Sequence, residues 1–336
     1  MIYRKLIYLI ITLSLVLVNQ TFAQQRTNPK NQSEELGTVH WHRNYEEAVA
    51  IAKKEKKDLV ILFQEVPGCS TCRNYGHNVL SHPLMVEALE NTFTPLAIFN
   101  NKNGTDKKIL EKFKEPSWNN PVVRIIDPNG KNIVQRVSND YSALTLCKKL
   151  KEALRLRNTS IPLYLELLEQ ELSALNSNEM SEAYFKMHCF WIGEKELGKL
   201  DGVLDVESGF MNHNEVVKVK YNPSSISNSE LISYAKKQGF KFVNNLTNYK
   251  IAVNEVHYYL LHSDYKYLPL SELQKTKINS ALGSNQKAEL YLSPKQLKWL
   301  HFLKQNKAKG FHSKMNQKIE DAWMLMELSY AKISKK

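Results

Sequence analysis

In Met187-His188-Cys189-Phe190-Trp191-Ile192-Gly193-Glu194, a cysteine stands between two kinds of predicted structure. The run before it, 183–186, is β-prone, and the apolar residues after it recur at helical spacing. The N–H groups and the dipole of a helix N-terminus favour a thiolate. The pattern therefore predicts a nucleophilic cysteine at a strand-to-helix junction. On position alone, a buried structural cysteine beside two aromatic side chains is the alternative.

The length of 336 residues allows two or three domains with cores of their own. Residues 1–23 have the pattern of a signal peptide, with two basic residues, an apolar run over 6–18 and a small-residue cleavage site. We therefore expect an exported protein of the periplasm or the extracellular space, or a membrane-anchored one if the segment is retained. No other segment approaches the roughly 18 unbroken apolar residues of a membrane span, so no integral membrane domain is expected.

The charge and the cysteine content limit the function classes further. The net charge of +12 is spread over lysine-rich stretches such as 53–57 and is not joined to any motif that reads nucleic acid, so no nucleic-acid partner is expected. The chain has four cysteines, Cys69, Cys72, Cys147 and Cys189, which are too few for a disulfide scaffold of this length. Two of them form a C-x-x-C pair, which favours redox chemistry.

The region around the C-x-x-C pair predicts a thioredoxin arrangement. An apolar strand over 59–63 leads through a short loop to Cys69 and Cys72 at the start of a helix. The first cysteine is expected to face solvent with a lowered pKa, and the second, one turn into the helix, to resolve a mixed disulfide. A zinc or structural role is less favoured, because no second C-x-x-C pair and no paired histidines offer further ligands.

Later strands complete this predicted domain, over 93–99, over 121–126 and over 133–137 as a hairpin partner. Pro121 stands where the thioredoxin fold has a cis-proline that abuts the C-x-x-C pair, and we assign it to substrate binding. An ordinary proline at the first position of a strand is the alternative. The loop Val66-Pro67-Gly68-Cys69 resembles an exported thioredoxin-like group in which selenocysteine can replace the first cysteine. Cys147 shares an apolar helix face and is predicted to be a packed core thiol.

Residues 183–240 resemble the catalytic core of the A-type peptide methionine sulfoxide reductases. That family carries Gly-Cys-Phe-Trp-Gly-x-Glu, a Gly-Val turn, a Gly-Tyr segment and His-x-Glu-Val-Val-x-Val-x-Tyr-Asp-Pro. The matching stretches here are Cys189-Phe190-Trp191 with Glu194, Gly202-Val203, Ser208-Gly209-Phe210, His213-Asn214-Glu215-Val216-Val217, Val219 and Tyr221-Asn222-Pro223.

The resemblance implies roles for the matched residues. Cys189 would be the nucleophile and Glu215 the acid that protonates the sulfoxide oxygen. Phe190 and Trp191 would form the pocket for the methyl group. Glu194 matches a carboxylate near the family's nucleophile, and a helix-surface glutamate paired with a lysine is the alternative for it.

The chain also departs from the family pattern. Phe210 stands where the family has a tyrosine that binds the substrate oxygen, and His188 replaces the glycine before the cysteine. Past Phe240 there is no Gly-x-Asp-x-Gly-x-Gln-Tyr-Arg-Ser run, and no cysteine follows Cys189. Each lost hydroxyl donor would cost roughly 1–3 kcal/mol of transition-state stabilisation.

The predicted fold class combines α/β and α+β, because a thioredoxin-like domain precedes a ferredoxin-like βαββαβ domain with a helical C-terminal extension. The predicted divisions are a signal peptide (1–23), a disordered linker (24–36), the thioredoxin-like domain (37–158), a helical linker (159–178), the reductase-like domain (179–245) and the mainly helical extension (246–336). In the extension, the residues expected in the core are Trp299, Phe302, Trp323, Met326 and Leu328.

The leading functional prediction is an exported thiol oxidoreductase that reduces methionine sulfoxide in envelope proteins, with Cys189 regenerated by Cys69 and Cys72. No cofactor and no metal are expected, and the external reductant is open. The alternative is a thioredoxin-like disulfide reductase that acts on a thiol or disulfide partner, with the second domain reduced to a binding module. A third prediction, a heavy-metal-binding βαββαβ domain, is weaker because such domains use paired cysteines.

Overall fold

The structure is a computed structural model that describes residues 26–177, 180–244 and 248–334. The predicted signal peptide lies outside the described residues. The chain divides into two compact units: one holds the described residues up to His77 together with Thr92–Ser138, and the other holds Asn78–Asn91 and the residues from Asn139 onward. Among the described residues, no helix combines the length and the apolar character that a membrane crossing requires.

The strands are β1 (Leu59–Gln64), β2 (Thr94–Phe99), β3 (Val122–Ile126), β4 (Ser181–Lys186), β5 (Val203–Met211), β6 (Asn214–Tyr221), β7 (Lys241–Phe242) and β8 (Lys250–Ile251). The α-helices are α1 (Tyr45–Glu55), α2 (Ser70–Asn78), α3 (Pro83–Thr92), α4 (Thr105–Phe113), α5 (Ala143–Leu156), α6 (Leu163–Ser177), α7 (Phe190–Gly198), α8 (Asn228–Lys237), α9 (Tyr258–Leu261), α10 (Glu272–Gly283), α11 (Pro294–Gln305) and α12 (Ile319–Ile333).

The first unit is built on a sheet with the order β2-β1-β3. Strand β1 is parallel to β2 and antiparallel to β3, and all six of its residues are buried. This burial agrees with the unbroken apolar run that predicted the strand, since a central strand covered on both faces needs apolar side chains throughout. The predicted strand over 133–137 is reduced to isolated bridges, Val123 with Val137 and Ile126 with Asn132.

The segment before this sheet corrects one prediction. Residues 24–36 were predicted to be disordered, but the described part, from Arg26 on, is an ordered part of the first unit. Arg26 forms a bridge with His42, and Glu34–Leu36 form a 3₁₀ turn. Leu36 is 2% exposed, and its carbonyl accepts a hydrogen bond from the Trp41 indole at 2.9 Å. The order of this segment was not predicted, because most of its residues are polar and only a few of them enter the core.

The second unit contains the predicted βαββαβ core. Its sheet has the order β7-β4-β6-β5-β8, and every neighbouring pair is antiparallel. Helix α7 connects β4 to β5, and α8 connects β6 to β7. Helix α8 begins with the predicted capping box, in which Ser227 and Glu230 bond each other's backbone N–H groups.

Helix α10 packs on this core, and α11 and α12 contact each other. Trp299 and Trp323 lie edge to face at 4.8 Å, and Trp299 and Met326 are almost fully buried. Leu328, in contrast, is 59% exposed, so its predicted place in the core is wrong. Helix α10 is buried along most of its length although it carries many polar side chains.

A carboxylate from α6 holds the N-terminus of α10. Glu171 accepts a hydrogen bond from the Leu273 N–H at 2.9 Å, where the first N–H groups of a helix have no partner within the helix. Burial raises the pKa of Glu171 to about 7. The folded state therefore binds a proton at this site more strongly than the unfolded chain does.

Replacing Glu171 by Gln tests this linkage. Because the folded-state pKa lies above the unfolded one, wild-type stability should fall as the pH rises from about 4.5 through about 7. Glu171→Gln cannot titrate, so its stability relative to wild type should be more favourable at pH 8 than at pH 5, by on the order of 1–3 kcal/mol. Urea unfolding at both pH values measures this difference. Glu152→Gln is the control, because this partly exposed glutamate of α5 pairs with Lys149 at the surface. An equal pH response in both variants would contradict the assignment.

Candidate functional site

The first unit presents a dithiol at the start of α2. The sulfurs of Cys69 and Cys72 lie 3.5 Å apart as free thiols, Cys69 exposed and Cys72 fully buried. A hydrogen bond from the Cys72 backbone N–H lowers the pKa of the Cys69 thiol. Burial raises the pKa of Cys72 to about 12, and the neighbouring Cys69 adds to the increase. One thiol is therefore prepared for attack and the other is held protonated.

The loop before β3 contacts the buried thiol of Cys72. Cys72 donates a hydrogen bond from its sulfur to the Asn120 side-chain oxygen at 2.6 Å. The Asn120–Pro121 peptide bond is cis, as predicted for Pro121. The Gln64 amide donates to the Cys72 carbonyl at 3.1 Å, which ties the first turn of α2 to the end of β1.

Glu65 is part of this site, although the sequence did not assign it a role. A carboxylate oxygen of Glu65 and the sulfurs of Cys69 and Cys72 all lie within 4.8 Å of one another. These three donors could hold a metal ion, but they leave a tetrahedral ion one ligand short. A carboxylate beside a thiol with a raised pKa is also well placed to accept the thiol proton during disulfide exchange.

The second unit places Cys189 where the strand-to-helix prediction expected it. Cys189 is the N-cap of α7, with φ −141° and ψ 116°, and its side chain is partly exposed. Strand β4 ends at Lys186, three positions before it. The alternative of a sealed structural cysteine does not describe this residue.

Glu215 lies at the same helix N-terminus. It belongs to β6, which pairs with β4, and its carboxylate accepts a hydrogen bond from the Phe190 N–H at 2.8 Å. The Met187 N–H donates to the Glu215 carbonyl at 3.1 Å. The structure thus brings the predicted acid to the residue next to the predicted nucleophile.

The predicted pocket aromatics also form one group. Phe190 is buried, and its ring lies edge to face with the rings of Trp191 at 6.1 Å and Phe210 at 5.4 Å. Phe210 is 42% exposed. An apolar surface therefore adjoins Cys189, and the ring at position 210 contributes no hydroxyl group.

The assignment of Glu194 to substrate binding is wrong. Its side chain is 1% exposed and accepts hydrogen bonds from Ser208, from the N–H groups of His257 and Tyr258 and from Asn279. The alternative of a surface glutamate paired with lysine is wrong too. Glu194 follows Phe190 by one helical turn and therefore faces the interior.

Two residues of the C-terminal segment contact Trp191, and neither was predicted from the sequence. The ring of Tyr258 stacks on the Trp191 ring at 3.9 Å with an interplanar angle of 19°. The Trp191 indole N–H donates to Glu255 at 3.0 Å. Glu255 and Tyr258 occur in a stretch with no regular apolar spacing, so periodicity could not place them here.

Cys147 is a packed thiol, as predicted. It is fully buried on α5, and burial raises its pKa to about 12.

Comparisons with known proteins find similarity over parts of the chain. A thioredoxin-like family model matches residues 40–128. The peptide methionine sulfoxide reductase MsrA of Saccharophagus degradans is 31% identical in an alignment 128 residues long, and the match covers 31% of this chain and 60% of that protein. The chain therefore spans about 60% of the length of that curated relative.

Among solved structures, the chain is similar to a DsbH oxidoreductase, with a TM-score of 0.31, 18% identity, and coverage of 39% of this chain and 95% of that one. The chain contains a thioredoxin-like domain, and its similarity to MsrA, together with that domain, supports a thiol oxidoreductase.

Proposed function

We propose that this protein is an exported thiol oxidoreductase that reduces methionine sulfoxide in proteins, with Cys189 as the nucleophile. The observation that carries the proposal is the Glu215 carboxylate bound to the Phe190 N–H, beside a partly exposed cysteine that caps α7. A sulfoxide reductase needs a thiol, an acid and an apolar pocket. Cys189, Glu215 and the aromatic group of Phe190 and Trp191 offer all three.

The first step transfers oxygen to Cys189. The S=O bond of the substrate breaks and an S–O bond to Cys189 forms, so the substrate sulfur gains the two electrons that the cysteine sulfur loses. Glu215 protonates the oxygen as the bond breaks, and the thiol proton replaces the one it gives. The products are methionine and a sulfenic acid on Cys189.

The second step regenerates Cys189 through the dithiol. Attack by Cys69 on the sulfenic acid forms a Cys69–Cys189 disulfide and releases water. Cys72 then attacks the Cys69 sulfur and frees Cys189 as a thiol, while Glu65 accepts the Cys72 proton. An external dithiol reduces the resulting Cys69–Cys72 disulfide. Carrying both centres on one chain raises their effective concentration to roughly the mM range.

The signal-peptide pattern of residues 1–23 supports export, and in an exported protein the substrates would be envelope or extracellular proteins.

A second candidate function is disulfide reduction by the first unit alone. The unequal pKa values of Cys69 and Cys72 favour it, since they meet the needs of disulfide exchange without Cys189. Phe210, which has no hydroxyl group, is consistent with a second unit that only binds a partner.

Sulfoxide turnover with dithiothreitol tests the first candidate. Cys189→Ser should abolish it, and Glu215→Gln should lower kcat by roughly 10²- to 10⁴-fold, the usual contribution of a general acid. Glu196→Gln, on the same helix as Cys189 but in surface ion pairs with Lys195 and Lys199, should retain activity. Absence of turnover in the wild type would leave disulfide reduction as the better proposal.

Insulin reduction tests the dithiol separately. Cys69→Ser should abolish this activity, whereas Cys189→Ser should retain it. Glu65→Gln should slow it by about 10-fold or more, because the Cys72 thiol loses its proton acceptor. Glu111→Gln, at an exposed position of α4, is the matched control. Equal rates for the two glutamine variants would refute the role of Glu65.

Alkylation with iodoacetamide checks the assigned thiol reactivities. Only the thiolate reacts, so Cys69 should react at a lower pH than an ordinary cysteine, because its pKa is lowered. Cys72 and Cys147, with pKa values of about 12, should remain unmodified in the folded protein at pH 8. Peptide mass spectrometry after timed quenching measures each site, and modification of Cys72 before Cys69 would reverse the assignment.

A further inference from the structure

Two oxygen donors adjoin the two sulfurs of the dithiol in the first unit. The sulfurs of Cys69 and Cys72 lie 3.5 Å apart, and a carboxylate oxygen of Glu65 lies within 4.8 Å of both. Among the described residues, these three form the one group of three histidine, cysteine or acidic side chains whose ligand atoms are this close. The Asn120 side-chain oxygen lies 2.6 Å from the Cys72 sulfur and can supply the fourth ligand that a tetrahedral ion needs.

The spacing of these atoms is close to that of a tetrahedral zinc site. Zn–S bonds of about 2.3 Å and Zn–O bonds of about 2.1 Å place two sulfurs about 3.8 Å apart, and a sulfur and an oxygen about 3.6 Å apart. The observed distance between the sulfurs is 3.5 Å, so they need to separate by only about 0.3 Å. The Asn120 oxygen is closer to Cys72 because the thiol proton lies between them, and it would move by about 1 Å when an ion replaces that proton.

The loop between β1 and α2 holds the ligands in place. The Gly68 N–H donates a hydrogen bond to the Glu35 carboxylate at 2.7 Å, which fixes the loop just before Cys69. A Cβ atom at Gly68 would lie 2.8 Å from the Cβ of Cys72 and would also overlap the Glu65 carbonyl, so only glycine allows the loop to pack this closely. Such preorganisation lowers the entropic cost of binding an ion.

The ligand types and their exposure favour zinc over other metal ions. Thiolates select Zn²⁺ and Cu(I), whereas Mg²⁺ and Ca²⁺ prefer oxygen ligands alone. A carboxylate beside the thiolates favours Zn²⁺, which binds both. Cys69 is exposed and Cys72 is buried, so an ion has an entry path from solvent past Cys69 to the deeper ligands.

We propose that the reduced dithiol is a Zn²⁺ site, with Cys69, Cys72 and Glu65 as ligands and the Asn120 oxygen in the fourth position. The ion replaces the two thiol protons, which pass to solvent, and no electrons are transferred. A Cys69–Cys72 disulfide offers no thiolate and does not bind the ion, while a bound ion withholds Cys69 from disulfide exchange. Zinc is therefore a reversible inhibitor of the dithiol. The site requires neither Cys189 nor a sulfoxide, so it goes beyond the proposed function.

Equilibrium dialysis of the full chain against zinc chloride tests the site. The reduced wild type should retain one more Zn²⁺ per chain than the Cys69→Ser, Cys72→Ser double variant, which measures the zinc bound by other groups. The wild type with a Cys69–Cys72 disulfide should match the double variant. Equal zinc contents of the reduced wild type and the double variant would overturn the proposal.

The same measurement on two further variants tests the oxygen ligands. Glu65→Gln should raise the zinc dissociation constant by about 10- to 100-fold, and Asn120→Ala should raise it by a smaller factor, because a neutral amide is the weaker ligand. The matched controls are Glu111→Gln, at an exposed position of α4, and Asn119→Ala, next to Asn120, and both should bind Zn²⁺ as the wild type does. Wild-type affinity in both Glu65→Gln and Asn120→Ala would overturn the four-ligand site.

Cobalt provides a signal that distinguishes a lost ligand from a misfolded variant. Co²⁺ bound tetrahedrally by thiolates absorbs strongly in the visible and shows a sulfur-to-metal charge-transfer band in the near ultraviolet. Glu65→Gln should keep the charge-transfer band, because both sulfurs remain, and should shift the visible bands. The weak visible absorption of six-coordinate Co²⁺ in the reduced wild type would overturn the tetrahedral geometry.

Protection from iodoacetamide locates the ion and separates this inference from the proposed function. One equivalent of Zn²⁺ should slow the alkylation of Cys69 by about 10-fold or more, because the bound thiolate cannot attack, and EDTA should restore the rate. Cys189 in the same sample is the internal control, and zinc should leave its rate unchanged. Equal slowing of Cys69 and Cys189 would overturn the site. A failure of methionine sulfoxide turnover would contradict only the proposed function, since this readout does not involve a sulfoxide.

Discussion

The arrangement of the second unit depends on one buried carboxylate, that of Glu194. It accepts hydrogen bonds from Ser208 on β5, from two backbone N–H groups at the start of α9 and from Asn279 on α10. Burial raises the pKa of Glu194, and the positive charge of His257 and these hydrogen bonds oppose the increase. A buried acceptor of this kind is costly to leave unsatisfied, so all four donors are constrained together. The helix that carries Cys189 is thereby joined to the elements around it.

Helix α10 extends this constraint through polar contacts. Thr276 donates to the Leu204 carbonyl at 3.1 Å, and the Lys277 ammonium donates to the carbonyls of Gly198 and Leu200 at the end of α7. Burial lowers the pKa of Lys277 to about 8, because the ammonium group loses its hydration where it contacts those carbonyls. The burial of such a helix cannot be predicted from the spacing of apolar residues, because its buried side chains are polar and bond to groups of other elements. This is why residues 246–336 were predicted only as an extension.

The sequence predicted those parts of the structure that local patterns encode. The β-prone run, the cysteine and the helical spacing around Cys189 predicted the strand-to-helix junction, and the strand before Cys69 predicted the dithiol at a helix start. The placement of Glu215 followed from a motif resemblance. Glu65 and Tyr258 were missed because their proximity to the sites depends on loop and tertiary geometry, and Glu194 was assigned to the wrong environment because a carboxylate on a helix is ordinarily solvated.

The four cysteines differ in chemical capacity, and this difference limits how Cys189 can be recycled. A sulfenic acid is resolved by a thiol that is accessible and ionises readily. Cys147 is fully buried with a pKa of about 12, so the second unit offers no resolving thiol among its described residues. Cys72 is also buried with a pKa of about 12, whereas Cys69 is exposed and its pKa is lowered. Of the two thiols of the dithiol, Cys69 therefore has the accessibility and the lowered pKa that the proposed attack on an oxidised Cys189 requires, and Cys72 is suited only to the step that follows.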